Sequence, residues 1–477
     1  MALRICMVLE GCYPYIRGGV SSWMHQCILA MPQHEYVLWI IGAKAEDKGK
    51  FKYELPKNVV EVHEVFLDDA LRLKSGGTDN VTFSKNEISE LRKLMLCEDP
   101  DWSILFRLYN KKQVGAVPYL MSETFLKILL EICEERYPHI SFTEFFHSVR
   151  SMFLPALYLM STKVPKADVY HSTSTGYGGL LAVLGAWKHS KPYVLTEHGI
   201  YTREREEEVL RSKWIPTTFK QYWINLFNML AHCSYDNAVR VTALFQRYSD
   251  AQVSLGCRPD KRIVISNGIL VNNYLNIPPK VPNGYIDIAA VARIHPIKDI
   301  KTMIHAFFQL KSNVPNVRLF ILGDTDDEEY AEECRMLIDQ INVEDVSIVG
   351  NVNVIKYLEN IDFTVLTSIS EGQPLAILES LAAGRPCVAT DVGCCRELIE
   401  GAEGDNLGRA GVCEPPMHPQ AIAVAMELVA TRDDLRREMG AVGKKRVIKY
   451  YQHQDMVDKY NTNYKEVVAK WQASVLS

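Results

Sequence analysis

Two glutamates, Glu371 and Glu379, stand eight positions apart in Ser370-Glu371-Gly372-Gln373-Pro374-Leu375-Ala376-Ile377-Leu378-Glu379. The run 363–368 before them is apolar and reads as a buried parallel strand. The loop after it turns into a helix, with Pro374 suited to the first helical position and Gly384 to the residue just past the end. At a rise of ~1.5 Å per residue the two carboxylates flank the helix N-terminus, one in the loop and one about a turn and a half in. That helix end carries unpaired N–H groups and a partial positive charge, so it is an anion site. Carboxylates on both sides of an anion site suit a ligand with hydroxyls on both sides of a phosphate. Ribose, diphosphate and sugar, joined in that order, have this shape.

Other residues could join this chemistry. Arg293 and Lys298 lie in Val291-Ala292-Arg293-Ile294-His295-Pro296-Ile297-Lys298, after an apolar strand and at its carboxyl end, where open parallel sheets bind ligands. Two cations there can neutralise a diphosphate and stabilise the charge that grows on it as a bond breaks. Gly18 and Gly19 follow the first strand across a loop and open a helix, and they let backbone approach a phosphate closely. His198, in Thr196-Glu197-His198-Gly199, ends another strand where a cleft is expected. His171 ends a further strand and is an acceptor-side candidate. Arg203, Glu204 and Arg205 form a charged run that is either a solvated face or a contact. Asp324-Thr325-Asp326-Asp327 has the look of a metal motif, but it follows an apolar strand and reads as the turn that starts a helix.

The elements that position these residues fall into two α/β halves. A chain of 477 residues is too long for one core. Its 47% apolar and 23% charged residues are those of a globular protein, and a net charge of −5 argues against general nucleic-acid binding. In the first half, strands are expected at 3–9, 35–42, 167–171, 192–196, 238–242 and 262–266, with a helix at 19–31. In the second they are expected at 286–294, 317–323, 346–350, 363–368 and 386–390, with helices between. This alternation predicts two parallel sheets wrapped by helices. The segment 66–160 interrupts the first half as a helical insertion, with a capping box at Ser84 and Glu87. It either binds an acceptor or partner or is a structural elaboration. Pro278-Pro279-Lys280-Val281-Pro282 is a linker. The expected domains are therefore 1–275 and 276–451, with a final helix in 452–477. None of the 12 cysteines forms a C-x-x-C pair, which reads as reduced thiols. No signal peptide or membrane span is legible, so a cytosolic protein is expected, peripheral to a membrane only through partners.

The Glu371/Glu379 spacing, the Arg293/Lys298 pair and the glycine loop together resemble the retaining glycosyltransferases of the GT4 type. That resemblance spans essentially the whole chain and implies the GT-B fold, two Rossmann-like domains facing across a cleft. The last helix is then expected to cross back to the first domain. Leu9-Glu10-Gly11-Cys12-Tyr13-Pro14-Tyr15-Ile16-Arg17-Gly18-Gly19-Val20-Ser21-Ser22-Trp23 and Thr196-Glu197-His198-Gly199-Ile200-Tyr201-Thr202-Arg203-Glu204-Arg205, with Val241-Thr242-Ala243-Leu244-Phe245, are similar to the branch of the family that builds the Pel exopolysaccharide.

The resemblance implies transfer of a hexose from a UDP-sugar to a growing polysaccharide with retained configuration. Arg293 and Lys298 would stabilise the β-phosphate without a metal or cofactor. Glu379 would bind the ribose, Glu371 the donor sugar, and His198 would steady the sugar ring. Gly18 and Gly19 would close over the phosphates, and the N–H groups of Gln373, Leu375 and Ala376 would hold them. Asn267-Gly268 resembles the family's hinge turn. Two departures stand out: Pro374 replaces a frequent glycine and removes one N–H donor, and Cys394 follows Gly393 where a second glycine is common. The implied partners are the UDP-sugar, a polysaccharide acceptor and inner-membrane synthase or export proteins. A GT-B epimerase or phosphorylase, and a non-catalytic UDP-sugar-binding subunit, are the alternatives.

Overall fold

The computed structural model describes residues 2–72 and 82–476, so residues 73–81 of the expected insertion lie outside the described residues. The chain divides into two compact units, Met1–Ile265 with Lys459–Ser477, and Ser266–Asp458.

The first unit is built on seven parallel strands: β1 (Arg4–Glu10), β2 (Glu35–Gly42), β3 (Val59–Phe66), β4 (Val169–Ser172), β5 (Tyr193–Glu197), β6 (Arg240–Ala243) and β7 (Arg262–Val264). Their order is β3-β2-β1-β4-β5-β6-β7. Central strands such as β1, β4 and β5 are buried along their length because helices cover both faces, which is why they read as continuous apolar runs. The strand β3 was not expected. It is an edge strand, Val-Val-Glu-Val-His-Glu-Val-Phe, mostly half-buried and broken by charged residues, so no apolar run announces it. Sequence order reverses between β1 and β4, and that switch point leaves a crevice beyond their carboxyl ends.

The helices Lys85–Leu96, Glu123–Arg136 and Phe142–Met160 form the insertion. The capping box at Ser84 is present, with Ser84 accepting from the Glu87 N–H and Glu87 accepting from the Ser84 N–H. Phe142–Met160 continues through Pro155. Leu91, Phe125, Phe153 and Met160 pack in one hydrophobic core with Cys6 and Val8 of β1, so the insertion is not a separate body.

The second unit has six parallel strands: β8 (Ile286–Val291), β9 (Val317–Leu322), β10 (Val346–Gly350), β11 (Phe363–Leu366), β12 (Cys387–Thr390) and β13 (Gly411–Glu414), in the order β10-β9-β8-β11-β12-β13. The last, a four-residue edge strand, was also not expected. Here the switch point falls between β8 and β11. The final helix, His453–Leu476, is counted with the first unit from Lys459 onward, where Tyr460 and Tyr464 are buried. Among the described residues no helix is long and apolar enough to cross a membrane. All 12 cysteines are free thiols.

Candidate active site

In the second unit the loops leaving the two switch-point strands carry the expected site residues. The loop after β8 holds Arg293 and Lys298, and the loop after β11 holds Glu371. The backbone N–H of Ile369 donates to the Ile297 carbonyl at 2.9 Å, and Thr367 Oγ1 donates to the carbonyls of Lys298 and Asp299 at 3.0 Å each. These bonds tie the loops together and bring Lys298 Nζ to 2.5 Å from Glu371 Oε1, which also accepts from Ser368 Oγ at 2.5 Å. Both side chains of this ion pair are largely enclosed, at 18% and 11% exposure. Arg293 is more open, at 56%, and pairs with Asp326.

Pro374 is the N-cap of the helix Leu375–Ala382, one position before the first helical residue expected of it, because its ψ of 113° is still extended. No side chain caps this helix, so no cap competes for the first-turn N–H groups of Leu375 and Ala376. Gln373 is expected here for its backbone N–H. Its side chain has a further use: Oε1 accepts from the Asn267 N–H at 2.7 Å and Nε2 donates to the Asn267 carbonyl at 3.2 Å. Gly393 packs behind the loop. A Cβ there would lie 2.2 Å from the Glu371 carbonyl oxygen, and its φ is +55°, so only glycine fits without strain. Cys394 donates its backbone N–H to the Gly372 carbonyl at 3.2 Å. Glu379 sits one turn along the helix. Burial pushes its carboxyl above the ordinary range, and the Tyr274 hydroxyl donates to it, which partly offsets that rise.

The carboxylates of 324–327 are engaged within the protein. Asp324 accepts from Asn351, Asp326 holds Arg293, and Asp327 caps the helix Glu328–Gln340.

In the first unit, Gly18 and Gly19 lead from β1 into the helix Gly19–Ala30. Gly18 has extended backbone, and a Cβ at either glycine would meet nothing within 4 Å. The protein's own packing does not require glycine at these positions, and it leaves open space there. One turn along the same helix, Trp23 packs edge-on against His198, with ring centroids 4.5 Å apart. His198 Nε2 is enclosed and has no hydrogen-bond partner among the described residues. Burial lowers the pKa of the ring to about 4, so it is neutral at pH 7.

The next residue back, Glu197, anchors this loop from below. It is 1% exposed and accepts from Tyr235 Oη at 2.7 Å and Gln252 Nε2 at 3.0 Å. Burial raises its carboxyl to about 7. Glu10, at the end of β1, accepts from Ser174, the Gly178 N–H and the Tyr201 hydroxyl.

His171 is not an acceptor-side residue. It is fully buried, Nδ1 meets the Tyr464 hydroxyl at 2.6 Å, and Nε2 meets Thr196 Oγ1 at 2.8 Å, so neither ring nitrogen is left for a ligand. Arg203 and Glu204 are exposed, while Arg205 pairs with Glu208 and lies over the Tyr201 ring.

Tyr274, Trp23 and Glu197 had no role in the sequence reading. Glu197 left a signal, a carboxylate at the end of a short, mostly apolar strand. Trp23 left a weaker one, an aromatic one turn after the glycine pair. Tyr274 left none, because its contact is decided by the fold.

Residues 277–446 match the family described as Glycosyl transferases group 1. The chain is a group 1 (GT4) glycosyltransferase. It transfers a sugar from a nucleotide-sugar donor. Residues 3–260 of this glycosyltransferase, more than half of the chain, belong to the family described as Domain of unknown function (DUF3492). A relative, the MMP alpha-(1->4)-mannosyltransferase of Mycolicibacterium hassiacum, is 23% identical over 69% of this chain and 78% of its own. The putative colanic acid biosynthesis glycosyltransferase WcaL of Salmonella typhimurium is 30% identical over 46% of this chain and 56% of its own. Among solved structures, the sucrose-phosphate synthase of Thermosynechococcus elongatus superposes with a TM-score of 0.61 at 15% identity, covering 98% of this chain and 99% of that one. Anabaena HepE in complex with UDP and glucose superposes with a TM-score of 0.57 at 15% identity, covering 97% and 100%. These likenesses establish the GT-B fold of the glycosyltransferase.

Proposed function

We propose that this glycosyltransferase moves a hexose from a UDP-sugar to a growing exopolysaccharide with retention of configuration. The observation that carries the reading is the grouping at the second switch point: an enclosed Lys298–Glu371 pair, Arg293, a helix N-terminus without a side-chain cap, and buried Glu379. Lys298 and Arg293 take the charge that grows on the β-phosphate. The N–H groups of Gln373, Leu375 and Ala376 hold its oxygens. Glu379, steadied by Tyr274, takes the ribose hydroxyls, and Glu371 holds the donor sugar. In the first unit, Gly18 and Gly19 admit the phosphates. The unpartnered Nε2 of His198 meets a sugar hydroxyl. A neutral imidazole suits this place, since a charged one would oppose the positive charge developing on the sugar ring.

The acceptor hydroxyl oxygen bonds to the anomeric carbon on the face the diphosphate leaves. The anomeric C–O bond breaks with its electron pair going to UDP, and a β-phosphate oxygen takes the acceptor proton. No carboxylate nucleophile is required, unlike the paired carboxylates of retaining glycosidases.

UDP is supported by the neighbour crystallised with UDP and glucose, and a polymeric product by the relative named for colanic acid biosynthesis. The segments 9–23, 196–205 and 241–245 resemble PelF of Pel exopolysaccharide biosynthesis, which favours a Pel-type acceptor, a cytoplasmic location and inner-membrane synthase partners. UDP release measured over a panel of UDP-sugars with short acceptor oligosaccharides tests the reading. One donor should turn over with its anomeric configuration kept. Near-normal turnover in Lys298→Ala or Arg293→Ala would sink it.

A further inference from the structure

The first unit turns a corner between the helices Tyr201–Arg211 and Thr217–Asn237. Ile215 and Phe219 pin this corner to the core, while Trp214 is 72% and Leu210 54% exposed. Trp214 is braced, not loose, because its ring meets Trp223 edge-on at 5.6 Å. Arg211 and Lys213 are exposed beside it, and Lys220 Nζ is held at the same corner by the Leu210 carbonyl, at 2.5 Å.

The local charge opposes that of the whole chain. From Val209 through Tyr235 there is no Asp or Glu, in a protein of net charge −5. The nearest carboxylates on the preceding helix, Glu207 and Glu208, are set back toward its start and are paired with Arg211 and Arg205. The helix Thr217–Asn237 opens at this corner with Pro216 as its N-cap and no side-chain cap, and Thr217 and Thr218 are exposed, so its partial positive charge adds to that of the three cations.

We propose that this corner docks the protein on a phospholipid surface carrying anionic headgroups. Trp214 and Leu210 enter the interfacial layer, the depth that tryptophan prefers. Arg211, Lys213 and Lys220 reach the headgroup phosphates around them. An exposed apolar tip with Arg211 and Lys213 beside it fits a soft anionic plane. The inference stands apart from the donor chemistry and does not depend on which sugar is transferred.

The full chain is mixed with vesicles of phosphatidylglycerol and phosphatidylcholine, or of phosphatidylcholine alone, and sedimented. The protein should follow the anionic vesicles, stay in solution with the neutral ones, and be released by high salt. Trp214→Ala should weaken partitioning about tenfold, and Lys213→Glu by at least roughly fivefold. Both side chains are exposed, so melting temperature and UDP release in solution should not change. Wild-type protein that stays in solution with anionic vesicles overturns the proposal, as does binding that survives both substitutions. Retention only by vesicles that also carry membrane proteins overturns it in favour of a protein partner.

Discussion

Lys298 and Arg293 are both cations at the end of β8, but their surroundings give them unequal weight. Lys298 is enclosed and bonded to Glu371, while Arg293 is open to solvent and shares its charge with Asp326. Electrostatic stabilisation grows as water is excluded. Lys298→Ala should therefore lower the UDP-release rate by about 10²–10³, and Arg293→Ala by less, with UDP release from saturating donor as the measurement. With Glu379 on the ribose as proposed, Tyr274 acts on the donor through that carboxylate. Tyr274→Phe removes one hydrogen bond of about 1 kcal/mol, so donor KM should rise roughly fivefold with kcat nearly unchanged. Equal loss in kcat would show that Tyr274 does more than position the carboxylate. Glu197 controls stability instead. Its carboxyl rises from 4.5 to about 7 on folding, so the folded state binds the extra proton. The resulting stability is full below pH 4.5 and is lost as pH rises through 7. Glu197→Gln keeps an oxygen for Tyr235 and Gln252 without the charge. It should melt several degrees above wild type at pH 8, with the gap closing toward pH 5. The residues proposed for the donor site were named from the chain because the family's spacing is rigid, and Lys298 and Glu371 stand together in the structure. The ties of Gln373 to Asn267 and of Tyr274 to Glu379 were not legible there, because they join segments about a hundred residues apart.

At the scale of elements, glycines separate packing from ligand access. Gly19 starts a helix with open space where its Cβ would be, whereas Gly393 has a positive φ and the Glu371 carbonyl against it. Gly19→Ala should leave the melting temperature within about a degree while donor turnover falls sharply. Gly393→Ala should cost about 2 kcal/mol or more and shift the thermal melt downward. If Gly19→Ala kept full turnover, the glycine loop would have no part in donor binding. The strands that the chain announced are those with an apolar run, the edge strands β7 and β10 among them. β3 and β13 escaped notice because charged residues interrupt the first, and the second opens on glycine and ends on glutamate. The insertion's helices were legible from their caps and periodicity. That they share a core with β1 was not, since hydrophobic periodicity says a face is buried but not against what.

At the scale of the whole chain, residues 459–476 are part of the first unit although nearly two hundred residues of the second precede them. Tyr464 and Tyr460 pack on His171, and Tyr464 supplies its Nδ1 partner. Tyr464→Phe leaves a buried imidazole nitrogen unsatisfied and should cost about 1–3 kcal/mol, read as a lower melting temperature with little change in donor KM. Deleting 459–477 opens that core and should leave the first unit susceptible to limited proteolysis. The sequence by itself determined what local rules and fixed spacing can determine: two parallel α/β sheets, helix ends and the glycosyltransferase family, with the residues now proposed for the donor site. Only the tertiary structure decided which histidine has both ring nitrogens bonded and which has one without a partner. His171 lies within β4 and His198 follows β5, but in sequence both stand at the end of an apolar run. The final helix covers the first, while Trp23 enfolds the second and leaves its Nε2 without a partner. Burial and hydrogen-bond satisfaction are set by whatever the fold brings alongside, and that is not written in local sequence.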